Sequence, residues 1–369
     1  MYIYVCQVLL PKQQNFHCFQ MNPTMKLQTQ TFNNVLPLDF NNVPTLPDSH
    51  VWSTTPSESP CLHSIDEKQV PPVVDIGDPS AFSLVRDACE KWGVFQAINH
   101  GIPLSLFQET EFEARRLFSL PTEQKQLVAR LPEGFTGYGL VRISRNFPKL
   151  MWSECFGMIG SPVEHASQLW PRDHAKFCEV MEQFQVEMKT LCEKLVAIML
   201  RSLGLTNEQD TKWFEPKNES DQAKCFLQLN SYPVCPDPDR AMGLAPHTDS
   251  SLFTLLYQGG ISGLQVYDDD VGWVDVQPVE GALVVNVGDL MHIVSNGRFK
   301  SVLHRVVVNN MRHRISTAFF YLPPWDAKVS PLKKLVEFDH LPMYRPVKWE
   351  EYVETKSKDL SKALDSIRI

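Results

Sequence analysis

The spacing of apolar residues along the chain changes from three or four to two near residue 224. Before that point the pattern predicts helices over residues 80–92, 103–118 and 173–203, and a further helix that begins at Pro121. The longest helix carries one apolar stripe and ends at Gly204. Between the first two helices, VFQAINHG at residues 94–101 predicts a strand that ends in a turn.

After residue 224 the alternation of apolar and polar residues predicts many short strands. The predicted strands are FLQLNSYP, SLFTLLYQ, GLQVYD, GWVDVQP, GALVVNVGD, HIVS, SVLHRVVVN and RISTAFFYLPP, and VPPVVDI at residues 70–76 predicts an earlier one. Short strands at regular spacing are typical of a sandwich or barrel. An amphipathic helix is predicted from about Trp349. We therefore expect an α+β fold in which helices surround a β core.

These patterns divide the chain into four segments. Residues 1–68 are rich in Asn, Gln, Pro, Ser and Thr, which predicts a mostly disordered or irregular tail. Residues 69–205 predict a helical region, residues 206–345 a β core, and residues 346–369 a C-terminal helix.

Composition narrows the class of protein. A net charge of −8 argues against nonspecific binding to nucleic acid, which needs a basic face. None of the nine cysteines forms a CxxC pair and their number is odd, which favours a reduced intracellular protein over a disulfide framework. No apolar run is long enough to span a membrane. We expect a soluble, cytoplasmic chain without a nucleic-acid or membrane partner.

The first candidate for chemistry is the pair His247 and Asp249. We predict that they open the strand that continues as SLFTLLYQ, so that their side chains share one face and can chelate a metal. His304 lies in SVLHRVVVN, on the apolar face of that predicted strand. Alone, such a histidine is more often a core residue than a ligand. With the earlier pair, however, it completes the two-histidine, one-carboxylate set of non-haem iron(II) oxygenases.

A candidate anion site follows ten residues after His304. Arg314 and Ser316 share a face of the predicted strand RISTAFF with Ala318 and Phe320. A guanidinium among apolar neighbours needs an anion, because an unpaired buried charge is costly. Its rigid fork suits a carboxylate, to which a serine hydroxyl can add a hydrogen bond. A structural salt bridge to an acidic side chain is the alternative.

The order and spacing of these motifs resemble the 2-oxoglutarate-dependent dioxygenase superfamily. The resemblance implies a double-stranded β-helix, or jelly-roll, core with iron(II) held inside it, 2-oxoglutarate and dioxygen as co-substrates, and ascorbate as reductant. It implies that Arg314 and Ser316 bind the distal carboxylate of 2-oxoglutarate. Asn230 and Tyr232 match the family's NxYP motif at the co-substrate, for which strand-end packing is the alternative.

Longer segments resemble plant gibberellin 3-oxidases. They include GYGLVRIS at 137–144, MWSECFGMIGSP at 151–162 and GLAPHTDSSLFTLLYQ at 243–258. The resemblance implies 3β-hydroxylation of a gibberellin, a diterpenoid acid, by a monomer. The sequence departs from the family at Cys155, at Phe156-Gly157-Met158 and at Phe320-Tyr321-Leu322, segments that we expect to lie near the substrate.

A gibberellin carboxylate needs a cation other than Arg314. The segment GFTGYGLVRISRNFPK offers Arg142, Arg145 and Lys149, with Tyr138 as an amphipathic neighbour. Arg142, between two apolar residues, is the preferred candidate, and Trp152 is a further candidate substrate contact. Solvated loop charges are the alternative for each cation.

Three other functions stay open at this point. The chain could be a gibberellin 2-oxidase or oxidise another carbon. The metal set could hold zinc for hydrolysis, although zinc gives no reason for the Arg314 and Ser316 pair. The chain could also be a jelly-roll binding protein without catalysis, against which the intact motifs argue.

Overall fold

Five of the eight described α-helices lie before residue 224, where the period of the apolar residues changes. The computed structural model describes residues 38–52, 70–132, 134–141, 143, 146–205, 224–336, 341–360 and 362–369. The helices of this described part are α1 Ala81–Lys91, α2 Leu104–Phe118, α3 Thr122–Gln126, α4 Val163–Leu169, α5 Ala175–Ser202, α6 Asp289–Val294, α7 Lys333–Val336 and α8 Trp349–Lys358.

The longest helix, α5, forms because its apolar residues fall on one face. Phe177, Met181, Phe184 and Met188 are fully buried along that stripe. Together with α1 and α2, this helix covers one side of the larger sheet. It stops where Gly204 takes a left-handed conformation with φ of 81°, as the sequence predicts.

The strands follow in short segments through the rest of the chain. They are β1 Val73–Asp75, β2 Val94–Ile98, β3 Gly137–Gly139, β4 Glu154–Met158, β5 Lys224–Tyr232, β6 Leu244–His247, β7 Phe253–Tyr257, β8 Leu264–Asp268, β9 Gly272–Asp275, β10 Leu283–Val287, β11 His304–Val306, β12 Arg314–Leu322, β13 Lys328–Val329 and β14 Val347–Lys348.

Two sheets enclose the interior, and the chain alternates between them. The larger sheet has the order β1-β2-β10-β7-β12-β5-β4-β3, and the smaller has the order β6-β11-β8-β9. From β5 to β12 the chain passes repeatedly from one sheet to the other, and all pairs except β1 with β2 are antiparallel. This winding is a double-stranded β-helix, so the predicted jelly-roll core and α+β class are confirmed.

The division of the chain into four segments stays a prediction, and it describes the order of the segments along the chain. The larger sheet takes β1–β4 from residues before 205 and its remaining strands from residues after 224. Strand β4 pairs along its whole length with β5, from Glu154 opposite Ser231 to Met158 opposite Leu227. The helical region and the β core therefore share one sheet.

Three expectations are corrected by the structure. The run HIVS lies at the end of α6 and beyond it, not in a strand, because Gly288 and Asp289 begin a helix there and a short apolar run fits either period. Residues 38–52 of the predicted tail pack onto the core, where Trp52 donates from Nε1 to the carbonyl of Leu150 at 2.7 Å. The C-terminal helix ends at Lys358, and a short 3-10 turn, Asp365–Ile367, follows.

None of the described helices combines the length and the apolar composition that crossing a bilayer requires.

Candidate active site

Three side chains that can ligate a metal meet where the smaller sheet joins the larger. His247 ends β6 and His304 begins β11, and the pairing of these strands sets the two residues opposite each other, with ring centroids 4.2 Å apart. Asp249 Oδ1 lies 3.6 Å from His247 Nε2 and 3.9 Å from His304 Nε2. All three residues are buried, and their ligand atoms lie within 4.8 Å of one another.

The structure corrects the reason given for the first pair. His247 and Asp249 do not share the face of one strand, because β6 ends at His247 and Asp249 lies in the connection to β7. We name residues 248–252, which form this connection, the metal loop. The carboxylate therefore reaches the histidines from a loop, whereas the two histidines are placed by strand pairing.

Hydrogen bonds fix the orientation of all three side chains. His247 Nδ1 lies 2.8 Å from the carbonyl of Ala245, and His304 Nδ1 lies 3.1 Å from the carbonyl of Val302. Since a carbonyl only accepts, each Nδ1 carries the proton and each Nε2 keeps a free lone pair. Asp249 Oδ2 accepts a hydrogen bond from Thr254 Oγ1 at 2.6 Å, which leaves Oδ1 facing the histidines.

Burial keeps His247 in the form that binds a metal. Burial, together with the neighbouring His304, lowers the pKa of His247 well below its ordinary value, so that its ring is neutral at neutral pH. A neutral imidazole is the metal-binding species. Two nitrogens and one carboxylate oxygen on one side suit iron(II) with open positions for further ligands.

The candidate anion site lies on the larger sheet. Arg314 is 1% exposed, opposite Tyr232 in the pairing of β12 with β5, and Ser316 is opposite Asn230. The Arg314 guanidinium lies 5.0 Å from the Tyr232 ring centroid, and its Nε donates to the carbonyl of Ile261 at 3.0 Å.

One atom of Arg314 tests whether 2-oxoglutarate fits. Among the described residues, the buried Nη1 of Arg314 has no hydrogen-bond partner. A buried guanidinium with an unsatisfied nitrogen is costly, and a carboxylate would satisfy it. Burial raises the pKa of Tyr232, which keeps its hydroxyl protonated and able to donate. The residues present therefore fit the distal carboxylate of 2-oxoglutarate.

The two sites share one cavity of about 310 Å³, which both sheets line. The metal set and Arg314, Ser316, Tyr232 and Asn230 all belong to its polar lining. The remaining walls are mainly apolar, and they include Val141, Ile143, Phe226, Leu244, Leu256, Phe320, Leu322, Trp325 and Val353. Apolar walls with a few placed polar groups are typical of a small-molecule site.

Two family models match the chain. The model described as the 2OG-Fe(II) oxygenase superfamily matches residues 223–323, and that of the N-terminal region of a non-haem dioxygenase in morphine synthesis matches residues 71–175. Proteins named gibberellin 3-beta-dioxygenase are similar along most of the chain. One from Pisum sativum is 48% identical over 90% of this chain and 89% of its own length, and one from Arabidopsis thaliana is 47% identical over 93% and 100%.

The chain belongs to the 2-oxoglutarate–iron(II) oxygenase superfamily. It is a dioxygenase that uses iron(II), 2-oxoglutarate and dioxygen, with ascorbate as the reductant general to the family. Solved structures agree with this fold. JOX2 in complex with 2OG, Fe and JA has a TM-score of 0.74 and 28% identity, covering 89% of this chain and 95% of that one. A rice dioxygenase for auxin oxidation has a TM-score of 0.67 and 28% identity, covering 81% and 99%.

Within this oxygenase, two predicted substrate contacts lie outside the cavity. The Tyr138 hydroxyl donates to Glu154 Oε2 at 2.6 Å inside a buried cluster, and burial raises the pKa of Tyr138. Trp152 donates from Nε1 to the carbonyl of Pro233 at 3.0 Å and packs its ring against Phe40. Neither side chain lines the cavity, and both are buried in the core instead.

The predicted cations have different outcomes. Lys149 is half-buried, donates to the carbonyl of Asp48 at 2.8 Å, and does not line the cavity. Arg142 and Arg145 lie outside the described residues. Of the positions where the sequence departs from the family, Phe320 and Leu322 line the cavity, whereas Tyr321 packs against Phe253 and Cys155 is buried elsewhere.

The C-terminal helix is the part of the oxygenase site that the sequence interpretation missed. Trp349, Val353, Lys356 and Leu360 line the cavity, three of them from α8 itself. Their spacing of three and four residues is the signal that could have identified them. The helix was predicted, but nothing in its own sequence indicates which surface it covers.

Proposed function

We propose that this oxygenase hydroxylates gibberellin precursors at C3, on the β face, to give bioactive gibberellins. The observation that carries the proposal is an identity of 46–48% over 89–93% of the chain to four proteins named gibberellin 3-beta-dioxygenase. The apolar walls of the cavity support it, because a gibberellin is a rigid, mostly apolar ring system with one carboxylate.

His247, Asp249 and His304 are the proposed iron ligands. Each offers one atom, because the other polar atom of each side chain is occupied by a protein partner. The bonds from both Nδ1 atoms to carbonyls hold the rings in place before the metal arrives, so little reorganisation is needed on binding.

Arg314 and Ser316 are the proposed partners of the distal carboxylate of 2-oxoglutarate, with Tyr232 and Asn230 beside them. Support comes from the unsatisfied Nη1 of Arg314 and from the position of all four residues in the wall of one cavity. A bidentate contact fixes the orientation of the co-substrate as well as its affinity.

Iron with 2-oxoglutarate and dioxygen supplies the oxidant that converts a C–H bond into an alcohol, with succinate and carbon dioxide as the other products. The protein holds the substrate and excludes water. Apolar side chains such as Phe226, Phe320 and Leu322 form walls that can seat the rings and limit access of solvent.

The substrate carboxylate needs a cation of its own. Among the described residues that line the cavity, the cationic side chains are Arg314 and Lys356. Arg314 is assigned to the co-substrate, and Lys356 Nζ already donates to Thr248 O, Thr248 Oγ1 and Asp289 Oδ2. We propose Arg142 for this role, supported by the position of its neighbours Val141 and Ile143 in the cavity wall.

The test of the reaction is product identification. The full chain is loaded with iron(II) and 2-oxoglutarate without oxygen, and oxygen and gibberellin precursors are then added. We expect 3β-hydroxylated gibberellin and succinate in equal amounts, and none from His304→Ala. Hydroxylation at C2 would instead identify a gibberellin 2-oxidase, and succinate without any gibberellin product would refute the substrate class.

The test of Arg142 compares a gibberellin acid with its methyl ester. In wild type the acid should have the higher kcat/KM, and in Arg142→Ala that advantage should disappear. Equal discrimination by wild type and variant would mean that the carboxylate is held elsewhere.

We also propose that the enzyme acts as a monomer in the cytoplasm, without a nucleic-acid or membrane partner. The net charge of −8 supports the absence of a nucleic-acid partner. Light scattering of the purified chain tests the oligomeric state, and a fluorescent fusion in plant cells tests the location.

A further inference from the structure

All five carbonyls of the metal loop accept hydrogen bonds from elsewhere in the protein. A loop that carries a metal ligand lacks the ladder that fixes a strand, so its backbone must be held in another way. The donors come from only two elements, the beginning of α6 and the C-terminal helix α8 with its first residue, Trp349. The contacts therefore form one consistent support for the segment that contains Asp249.

The start of α6 supplies three backbone donors. Gly288 N–H donates to the carbonyl of Leu252 at 3.0 Å, Asp289 N–H to that of Asp249 at 2.8 Å, and Leu290 N–H to that of Ser251 at 3.1 Å. The approach is so close that a Cβ on Gly288 would lie 2.2 Å from the carbonyl oxygen of Ser251. These N–H groups are the ones that the first turn of a helix leaves without intrahelical partners.

Helix α8 supplies the remaining two donors through side chains. Trp349 Nε1 donates to the carbonyl of Ser250 at 3.0 Å. Lys356 Nζ donates to the carbonyl of Thr248 and to its hydroxyl, both at 2.7 Å. Thr248 separates His247 from Asp249, so Lys356 holds the peptide that joins two proposed iron ligands.

The third donor of Lys356 ties α8 to α6. Lys356 and Asp289 form an ion pair in which the side chains are 4% and 1% exposed. Asp289 also accepts from Tyr352 Oη and Ser301 Oγ, each at 2.6 Å. Burying two charges is expensive, and their attraction offsets this only when further hydrogen bonds complete the network, as they do here. Lys356 has no proton left for a substrate, although it lines the cavity.

We propose that Lys356 and Trp349 are positioning residues for the metal centre, and that α8 holds the metal loop in the geometry in which Asp249 can bind iron. This inference rests on the proposed metal centre, but it does not depend on the identity of the substrate. It assigns a role in metal affinity to a helix that begins one hundred residues after Asp249 in the sequence.

The test is Mn(II) binding to the full chain, measured without oxygen from the electron paramagnetic resonance of the free ion. Lys356→Met keeps the length of the side chain and removes its three donors. We expect its Mn(II) affinity to fall by about 10–100-fold, the range for groups that orient metal ligands. Trp349→Phe keeps the ring and removes one donor, and we expect a smaller loss of affinity.

Two matched controls separate positioning from general stability. Lys125→Met breaks another buried ion pair, between Lys125 and Glu154 at 2.7 Å, and Trp52→Phe removes a donor to the carbonyl of Leu150. Neither control residue lines the cavity. Thermal unfolding is followed for every variant, and we expect lower Tm for both lysine variants but wild-type Mn(II) affinity for the controls.

The outcomes are distinguishable. Wild-type affinity in both Lys356→Met and Trp349→Phe would overturn the inference, as would an equal loss in the controls. If Lys356→Met does not fold, Trp349→Phe against Trp52→Phe decides by the same criterion. Failure of the wild-type chain to bind Mn(II) would instead refute the proposed metal centre itself, whereas failure to turn over gibberellins would leave the positioning result standing.

Discussion

Replacing Arg314 with Gln should separate the co-substrate from the substrate. The guanidinium is 1% exposed, its Nη1 has no partner among the described residues, and its Nε donates to Ile261 O at 3.0 Å. A bound carboxylate would therefore stabilise this buried charge strongly. Loss of such a desolvated, charge-assisted contact costs about 2–5 kcal/mol, which corresponds to about 30-fold to several thousand-fold in affinity.

The assay has two parts. Calorimetric titration of 2-oxoglutarate into the Mn(II)-loaded protein gives the affinity without turnover, and steady-state kinetics give KM for each substrate. Affinity for 2-oxoglutarate should fall by the factor above, with little change in KM for the gibberellin. The Tm of the ligand-free variant should change little. The two lost hydrogen bonds, to Ile261 O and Gln258 Oε1, are worth about 1 kcal/mol each and are offset by removal of a buried charge.

Arg312→Gln is the matched control. This substitution removes the same positive charge two residues earlier, at an exposed position. It should leave 2-oxoglutarate affinity within about twofold, since exposed charges contribute little. If KM rises equally for both substrates in Arg314→Gln, or if the control shows the same loss, Arg314 has a structural role and the assignment is wrong.

Two further changes test the packing around the site. Gly288→Ala should lower the free energy of unfolding by about 1–3 kcal/mol and weaken Mn(II) binding, because the new Cβ would lie only 2.2 Å from Ser251 O. Urea unfolding and Mn(II) affinity that both match wild type would contradict this. His50→Gln should reduce the loss of stability at acid pH. Burial lowers the pKa of His50 to about 4. The stability that the neutral ring contributes is therefore complete above about pH 6.5 and is lost as the pH falls toward 4. The free energy of urea unfolding should differ less between pH 7.5 and pH 5 in the variant than in wild type.

The sequence was sufficient to place four cavity-lining residues on one face of β12. Alternation placed Arg314 and Ser316 on one face with Ala318 and Phe320, and all four line the cavity. The helix bounds were predicted to within a few residues where an apolar stripe is long, as in α5. Both predictions depend on the spacing of apolar residues, which can be read from a single sequence.

Other expectations failed because the deciding contacts are distant in sequence. Tyr138 has the amphipathic character of a binding residue, but Glu154 and Lys125 complete a buried polar cluster around it. The run around His292 is apolar enough for a strand, but the turn at Gly288 starts a helix there. In both cases a local pattern allowed two outcomes, and tertiary packing selected one.

The metal centre shows how these two kinds of information combine. His247 and His304 are brought together by the pairing of β6 with β11, which the pattern of a jelly roll implies. Asp249 lies on the metal loop. The donors that fix the backbone of this loop lie 39 or more residues after Asp249 in the chain. Strand pairing therefore brings two of the proposed ligands together, and the backbone of the third is held by the start of α6 and by the last helix. It follows that changes in α8 should affect the carboxylate ligand more than the histidines, although the helix lies beyond the residues that both family models match.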